Sequence, residues 1–170
     1  IGQIKEPPVR TDFVDQLPRI EVVFVTDSPV AGSAHWDGRD WIIVVNARKH
    51  RQSRRSSLAH ELKHVIDHTT KQFLYHDTRS QTAEGQAERV ADYFAACLLM
   101  PKRVVKRLWC QGQQNIERLA GTLRVSPAAL RYRLDQLGLT DRPARCQPPI
   151  KRLSTRRPRL EAALISGGRQ

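Results

Sequence analysis

The chain has 170 residues, of which 39% are hydrophobic, enough for one domain with a real core or a core plus a small appendage. Its longest apolar runs, 41–45 and 94–100, fall far short of the roughly 20 residues that a membrane-spanning helix needs, so a membrane partner is not expected. The net charge of +12 points instead to an acidic or polyanionic partner.

Residues 1–8, with Gly2, Pro7 and Pro8, read as an irregular lead-in, and 9–17 as a short helix stopping before Pro18. The β-branched run EVVFVT at 21–26 reads as a strand. Residues 33–37 and 41–46 flank an Asp37-Gly38 turn signal and read as a hairpin. The run WIIVVN is apolar through its first five residues, as in a strand covered on both faces. The front third therefore predicts a small antiparallel sheet.

From Ser53 the period becomes helical, with Leu58, Leu62, Val65 and Ile66 recurring up to about His68 and Ser53 or Ser56 as N-cap. Residues 69–86 are polar and read mainly as a loop. A second helix is predicted over 87–100 and ends at Pro101; a short helix follows at 102–109. Residues 115–123 and 126–137 predict two more, the second opened by Ser126-Pro127 and stopped at Gly138. This pair has the look of a helix-turn-helix, with Arg131 and Arg133 where a DNA reader would carry contacts; packing on the preceding helices is the competing reading. Beyond Asp141 the chain is rich in Pro and Arg, with one short helix conceivable at 159–165. Such a tail reads as a solvated extension or as a non-specific nucleic-acid contact.

Cys97, Cys110 and Cys146 are too few and too irregularly spaced for a disulfide framework. That usage, with no charged start and apolar run marking a leader, fits a reducing cytoplasm.

The chemistry concentrates in the first long helix, which carries H-E-x-x-H. His60 and His64, four residues apart, point the same way about 6 Å apart along the axis and can share one Zn²⁺. Glu61 can reach the open coordination side, take a proton from a metal-bound water and deliver it to a leaving amine. A catalytic zinc wants a third protein ligand and an open position. His68, His76, Asp77, Glu84, Glu88 and Asp92 are candidates. His68 continues the same helical row, and three ligands in a row cannot surround a tetrahedral ion. His76 and Asp77 lie in the loop and can approach. Glu88 is favoured: it lies on a second helix that can pack antiparallel to the first, with Asp92 one turn on to hold the free N–H of a ligating histidine. Tyr75 or His76 in the intervening loop could stabilise a tetrahedral oxyanion. His35, on a hairpin edge, could line a cleft in which an extended peptide adds to the sheet.

The runs SSLAHELKHVIDH and ERVADYFAACLLMP resemble the ImmA/IrrE-type metallo-endopeptidases, whose pattern is H-E-x-x-H on one helix followed by E-x-x-A-N-x-F-A-x-x-L-L-M-P on the next. The resemblance extends over 21–139 through NIERLAGTLRVSPAALRYRLDQLGL. It implies Glu88 as third zinc ligand. Asp92 stands where the family usually has Asn, giving the E-x-x-x-D spacing of thermolysin-like zinc peptidases. Lys63 stands where Gly is common, and is expected on the exposed helix face.

The resemblance also implies an α+β fold in which the small sheet packs on a mainly helical zincin-like core. The expected divisions are a metallopeptidase domain at 1–110, a helix-turn-helix-like helical segment packed on it at 111–140, and a basic tail at 141–170. The implied activity is zinc-dependent cleavage of a regulatory protein, such as a helix-turn-helix repressor, in a stress-response or mobile-element setting. The alternative is a non-catalytic DNA-binding or antitoxin-like regulator with a structural zinc. An intact Glu61 argues against it, because a structural site needs no general base.

Overall fold

In the computed structural model, which describes residues 7–139, a 3-10 turn (Asp12–Gln16) leads into three strands and six helices. These are β1 (Ile20–Val25), β2 (Gly32–Trp36), β3 (Trp41–Asn46), α1 (Arg51–Asp67), α2 (Lys71–Leu74), α3 (Ala83–Leu99), α4 (Lys102–Cys110), α5 (Ile116–Leu123) and α6 (Pro127–Gln136). The fold is α+β with a mainly helical core. Most of the expected lead-in, Cys146, the basic tail at 141–170 and the helix at 159–165 lie outside the described residues.

The sheet is mixed, which corrects the antiparallel expectation. Its order is β1-β3-β2. β2 and β3 form the expected antiparallel hairpin, from Gly32 opposite Val45 to Trp36 opposite Trp41. β1 pairs with the far side of β3 in parallel, from Ile20 opposite Trp41 to Val25 opposite Asn46. The physical reason is burial. β3 is the most deeply buried strand, and the central place hydrogen-bonds both its edges and seals Ile43 and Val45 completely. Ile42 and Val44 on its other face are only half-buried, so the apolar run marks the centre of the sheet rather than full cover on both faces. β2 is left as an edge strand.

The hairpin turn needs Gly38, at φ +104, a left-handed conformation that a side chain would strain. The Asp37 carboxylate accepts the N–H groups of Asp40 and Arg39, each at 2.7 Å, and these bonds hold its carboxyl below the usual range. At the other end of the sheet, buried Asn46 donates to the Ser28 carbonyl at 2.8 Å and accepts from the Arg48 N–H at 2.9 Å. It thereby pins the β1–β2 loop to the entry of α1.

α1 starts earlier than expected, with His50 rather than Ser53 or Ser56 at the N-cap position. α3 also starts earlier, at Ala83, because the Thr82 hydroxyl accepts the Gly85 N–H at 3.1 Å. The single turn α2 lies inside the segment expected to be loop. Two apolar clusters carry the packing. One joins the sheet to α1 through Ile43, Val45, Leu58 and Leu62. The larger is helical and joins Ala59 of α1 and Ala95 and Leu99 of α3 to Val105, Leu119, Leu123, Leu130 and Leu134.

Arg133 is buried, with Nε donating to the Met100 carbonyl at 3.1 Å. It holds α6 to the end of α3, which is the packing reading of this segment rather than the DNA-reading one. Arg131 is exposed and pairs with Glu117 at 3.2 Å. Cys97 is a free thiol, half-buried on α3.

Lys63 does not lie on an exposed face. Its ammonium donates to the Asp67 carboxylate one turn along α1, and Asp67 also accepts the Tyr75 hydroxyl. Asp67 and Tyr75 are both buried. Burial alone would raise the Asp67 carboxyl, but the bonds from Lys63 and Tyr75 outweigh it and hold the group below its ordinary value. Burial, and then the Asp67 carboxylate, push the Tyr75 phenol up to about 12. An unfolded tyrosine ionises near about 10, so between the two values the unfolded chain releases a proton that the fold retains. Stability is therefore lost as pH rises through that window. The lowered Asp67 contributes in the opposite sense: its contribution is present above the ordinary carboxylate range and is lost as pH falls below it. We expect ultraviolet titration of the native protein to show one tyrosine ionising at about 12, and Tyr75→Phe to remove that step together with the alkaline loss of stability. A native Tyr75 titrating with the exposed tyrosines would refute the network.

Candidate metal centre

α1 and α3 pack antiparallel, so that successive turns of one face successive turns of the other. His64 meets Glu88, while His60 meets both Glu88 and Asp92. The site follows from that register. His60 Nε2 lies 3.0 Å from His64 Nε2 and 3.2 Å from Glu88 Oε2, and His64 Nε2 lies 3.3 Å from Glu88 Oε1. Among the described residues these three side chains form the one group able to share a metal ion.

The donor set suits a divalent metal of borderline softness, with two imidazoles and one carboxylate. The spacing suits it too. Two atoms each 2.0–2.1 Å from a tetrahedral ion stand about 3.3–3.4 Å apart, within a few tenths of an ångström of the His60–His64 distance and of the approach of each imidazole to its nearer Glu88 oxygen. Three such ligands would leave a coordination position for water or substrate.

Asp92 Oδ1 lies 2.9 Å from His60 Nδ1. A carboxylate there accepts Nδ1–H, which fixes the tautomer that leaves Nε2 bare and turned toward the site. Because Asp92 is largely exposed, with 71% of its side chain accessible, its contribution falls at the weaker end of such partners. We expect Asp92→Ala to weaken metal affinity by about tenfold in competition with a chromophoric chelator. Unchanged affinity would mean that this contact does not orient the ring.

Glu61 sits on the sheet side of the triad. A Cβ added to Gly32 would stand 3.1 Å from Glu61 Cγ and Oε1 and 3.2 Å from Ser57 Cβ. The start of β2 thus approaches α1 closely enough that a side chain at position 32 would crowd the carboxylate. Burial raises the Glu61 pKa, the imidazoles of His60 and His64 oppose that rise, and the Glu88 charge adds to it.

The triad opens into a cavity of about 440 Å³ lined by Gly32, Ser33 and Ala34 of β2, by Trp41 and His68, and by Lys71 and Glu84. The sequence did not announce Gly32, Trp41 or Lys71 here. His68 turns its ring edge to Trp41, with centroids 4.7 Å apart, and is not one of the three clustered side chains. Glu84 pairs with Lys71 at 2.6 Å rather than joining the triad, and that bond holds its carboxyl below the usual range. The structure brings neither Tyr75 nor His76 to the cluster. The Tyr75 hydroxyl is committed to Asp67, and the His76 backbone carbonyl accepts from Gln86 while its side chain is exposed. Asp77 accepts the Ala83 N–H at 2.7 Å at the start of α3, and exposed His35 does not line the cavity.

Comparison with known proteins bears on the same region. A family model described as an IrrE N-terminal-like domain, within a peptidase class, matches residues 20–135. A solved structure titled "Mycobacterium tuberculosis transcriptional regulator" has the same fold, with a TM-score of 0.61 and 23% sequence identity. The match covers 73% of this chain but only 39% of that one. No curated protein matches significantly. Among the described residues no helix is long and apolar enough to cross a membrane.

Proposed function

The chain belongs to the IrrE N-terminal-like domain family, of metallopeptidase type, and from that premise we propose that it is a zinc-dependent endopeptidase acting on a regulatory protein. The observation that carries the reading is the triangle of His60, His64 and Glu88 with Glu61 beside it in one open cavity. In this reading the three side chains hold one Zn²⁺. When bound, the ion supplies Lewis acidity to the scissile carbonyl and to the attacking water. Glu61 takes the proton from that water and returns it to the leaving nitrogen, and the raised affinity of a buried carboxylate for a proton suits both steps. Asp92 keeps the His60 ring aimed. The edge of β2 receives the substrate backbone as an added strand, which places the scissile bond over the triad.

The substrate class we assign is a helix-turn-helix repressor, and the setting is the cytoplasm. Residues 1–110 would form the peptidase unit, with 111–140 packed on it as a helical segment; the shared apolar cluster of α3, α5 and α6 supports that packing. A DNA-reading role for α6 has less support, since Arg133 is buried.

The reading is tested by elemental analysis together with a cleavage assay on a co-encoded repressor. One zinc per chain is expected, as is cleavage that stops on chelation and returns with added zinc. Absence of zinc, or cleavage indifferent to chelation, would overturn it.

A further inference from the structure

The metal cavity does not end at the triad. Gly32, His60 and Glu61 also line a second recess with Ala31, Ser56, Ser57 and Asp92. Ser56, Ser57 and Asp92 line in turn a larger cavity of about 600 Å³. The three recesses adjoin one another through these shared residues, in a row along the groove between α1 and α3, toward the N-terminus of α1 and the C-terminus of α3.

The far chamber differs in chemistry from the metal end. Its floor is Ala95, Ala96 and Leu99 of α3 with Met100 just past the helix end, and its wall is Val125, just before α6, and Ala129 in its first turn. Ala95, Ala96 and Ala129 leave the space open, and Gln52 and the serines of α1, Arg89 and Asp92 of α3, Ser126 and Tyr132 form its polar and charged rim. From the triad to this floor is seven residues of helix, Glu88 to Ala95, or about 10 Å at 1.5 Å per residue. An extended peptide covers that span in about three residues.

We infer that this chamber is a remote specificity subsite, which takes a bulky apolar side chain two or three residues C-terminal to the scissile bond. The inference rests on the peptidase reading above. The side of the bond follows from the edge strand. β2 runs from Gly32, beside Ser57 and Glu61, toward Trp36. A substrate added in the more stable antiparallel sense runs the opposite way, so its C-terminal part leaves the triad past Gly32 toward the chamber. Adjacency to the metal cavity, through lining residues shared from one recess to the next, points to substrate as the occupant. The apolar floor identifies the side chain as Leu, Ile, Met or Phe, the residues by which an amphipathic segment of a folded regulator would be recognised.

The test uses the full-length zinc-loaded protein on a diverse peptide library, with cleavage sites mapped by mass spectrometry, for the wild type and for Ala129→Phe. Ala129 lies on the chamber wall, and its replacement fills the space. The wild type is expected to prefer bulky apolar residues at the second or third position after the cut. Ala129→Phe should lower kcat/KM about tenfold on such peptides, leave peptides with Gly there unchanged and keep zinc content the same. Fluorescence anisotropy with Glu61→Gln gives a second readout: a labelled apolar peptide should bind more weakly once Ala129→Phe is added. Cutting without that preference, or with an apolar preference on the N-terminal side, overturns the subsite and leaves the peptidase reading intact. An Ala129→Phe variant that keeps the wild-type profile overturns the subsite in the same way. Failure of the wild type to cut any peptide or the repressor overturns both.

Discussion

Glu61→Gln is expected to bind zinc as the wild type does and to cleave about 10²–10⁴-fold more slowly. Glutamine has nearly the shape of glutamate, so it keeps the packing against Gly32 that the close approach of β2 imposes. What it loses is the ability to accept a proton from water and carry it to the leaving nitrogen. Glu88→Gln is the informative contrast. It removes the anionic member of the triad, so metal content and activity should fall together. Zinc analysis of the two variants beside their rates separates a proton-transfer role from a ligand role. A structural zinc in a non-catalytic regulator would leave any cleavage indifferent to Glu61. Equal rates for wild type and Glu61→Gln would rule out the proposed mechanism.

The metal triad was legible because its spacing is written into helices. His60 and His64 share a face by the helical period alone, and Glu88 with Asp92 one turn on repeats that logic on the partner helix. The antiparallel pairing then needs only a loop long enough to reverse direction. The sheet was less legible. A hairpin is a local decision, and the Asp37-Gly38 turn signalled it. The position of β1 depends on which strand the rest of the protein buries most, and no window of sequence contains that comparison. Lys63 was misread for the same kind of reason. Its partner Asp67 is visible one turn away, but Tyr75, which helps bury the pair, comes from beyond the helix end.

The apolar chamber left no sequence signal at all. It mixes alanines and serines with Leu99, Met100, Val125 and Tyr132, residues that read individually as core, helix formers or caps. Only the assembly of the helices shows where they leave a space. The oxyanion expectation for Tyr75 and His76 came from position in the chain between two ligand helices. Position does not say which way a side chain turns, and a buried carboxylate one helix turn past His64 captured the tyrosine hydroxyl.

Arg55→Met is expected to cost about 3 kcal/mol of folding stability, more than any exposed charge replacement. Arg55 is buried, and its guanidinium donates to the carbonyls of Leu123, at 3.2 Å, Arg124 and Val9. The first two are the last carbonyls of α5, groups that have no partner within their own helix and carry the negative end of its dipole. The third fastens the segment before the 3-10 turn. Burial, and the nearby charges of Arg124 and Arg51, disfavour a cation here and lower its pKa. The carbonyls offset that cost only while all three are engaged. Methionine keeps much of the volume and removes every donor, so the loss measures hydrogen bonds rather than a cavity. Urea unfolding should show a lower midpoint at unchanged slope. Arg10→Ala, which breaks only the exposed pair with Asp12, should leave the midpoint where it is. If Arg55→Met unfolds within about 1 kcal/mol of wild type, water must already satisfy those carbonyls, and α5 would owe its place to the apolar cluster alone.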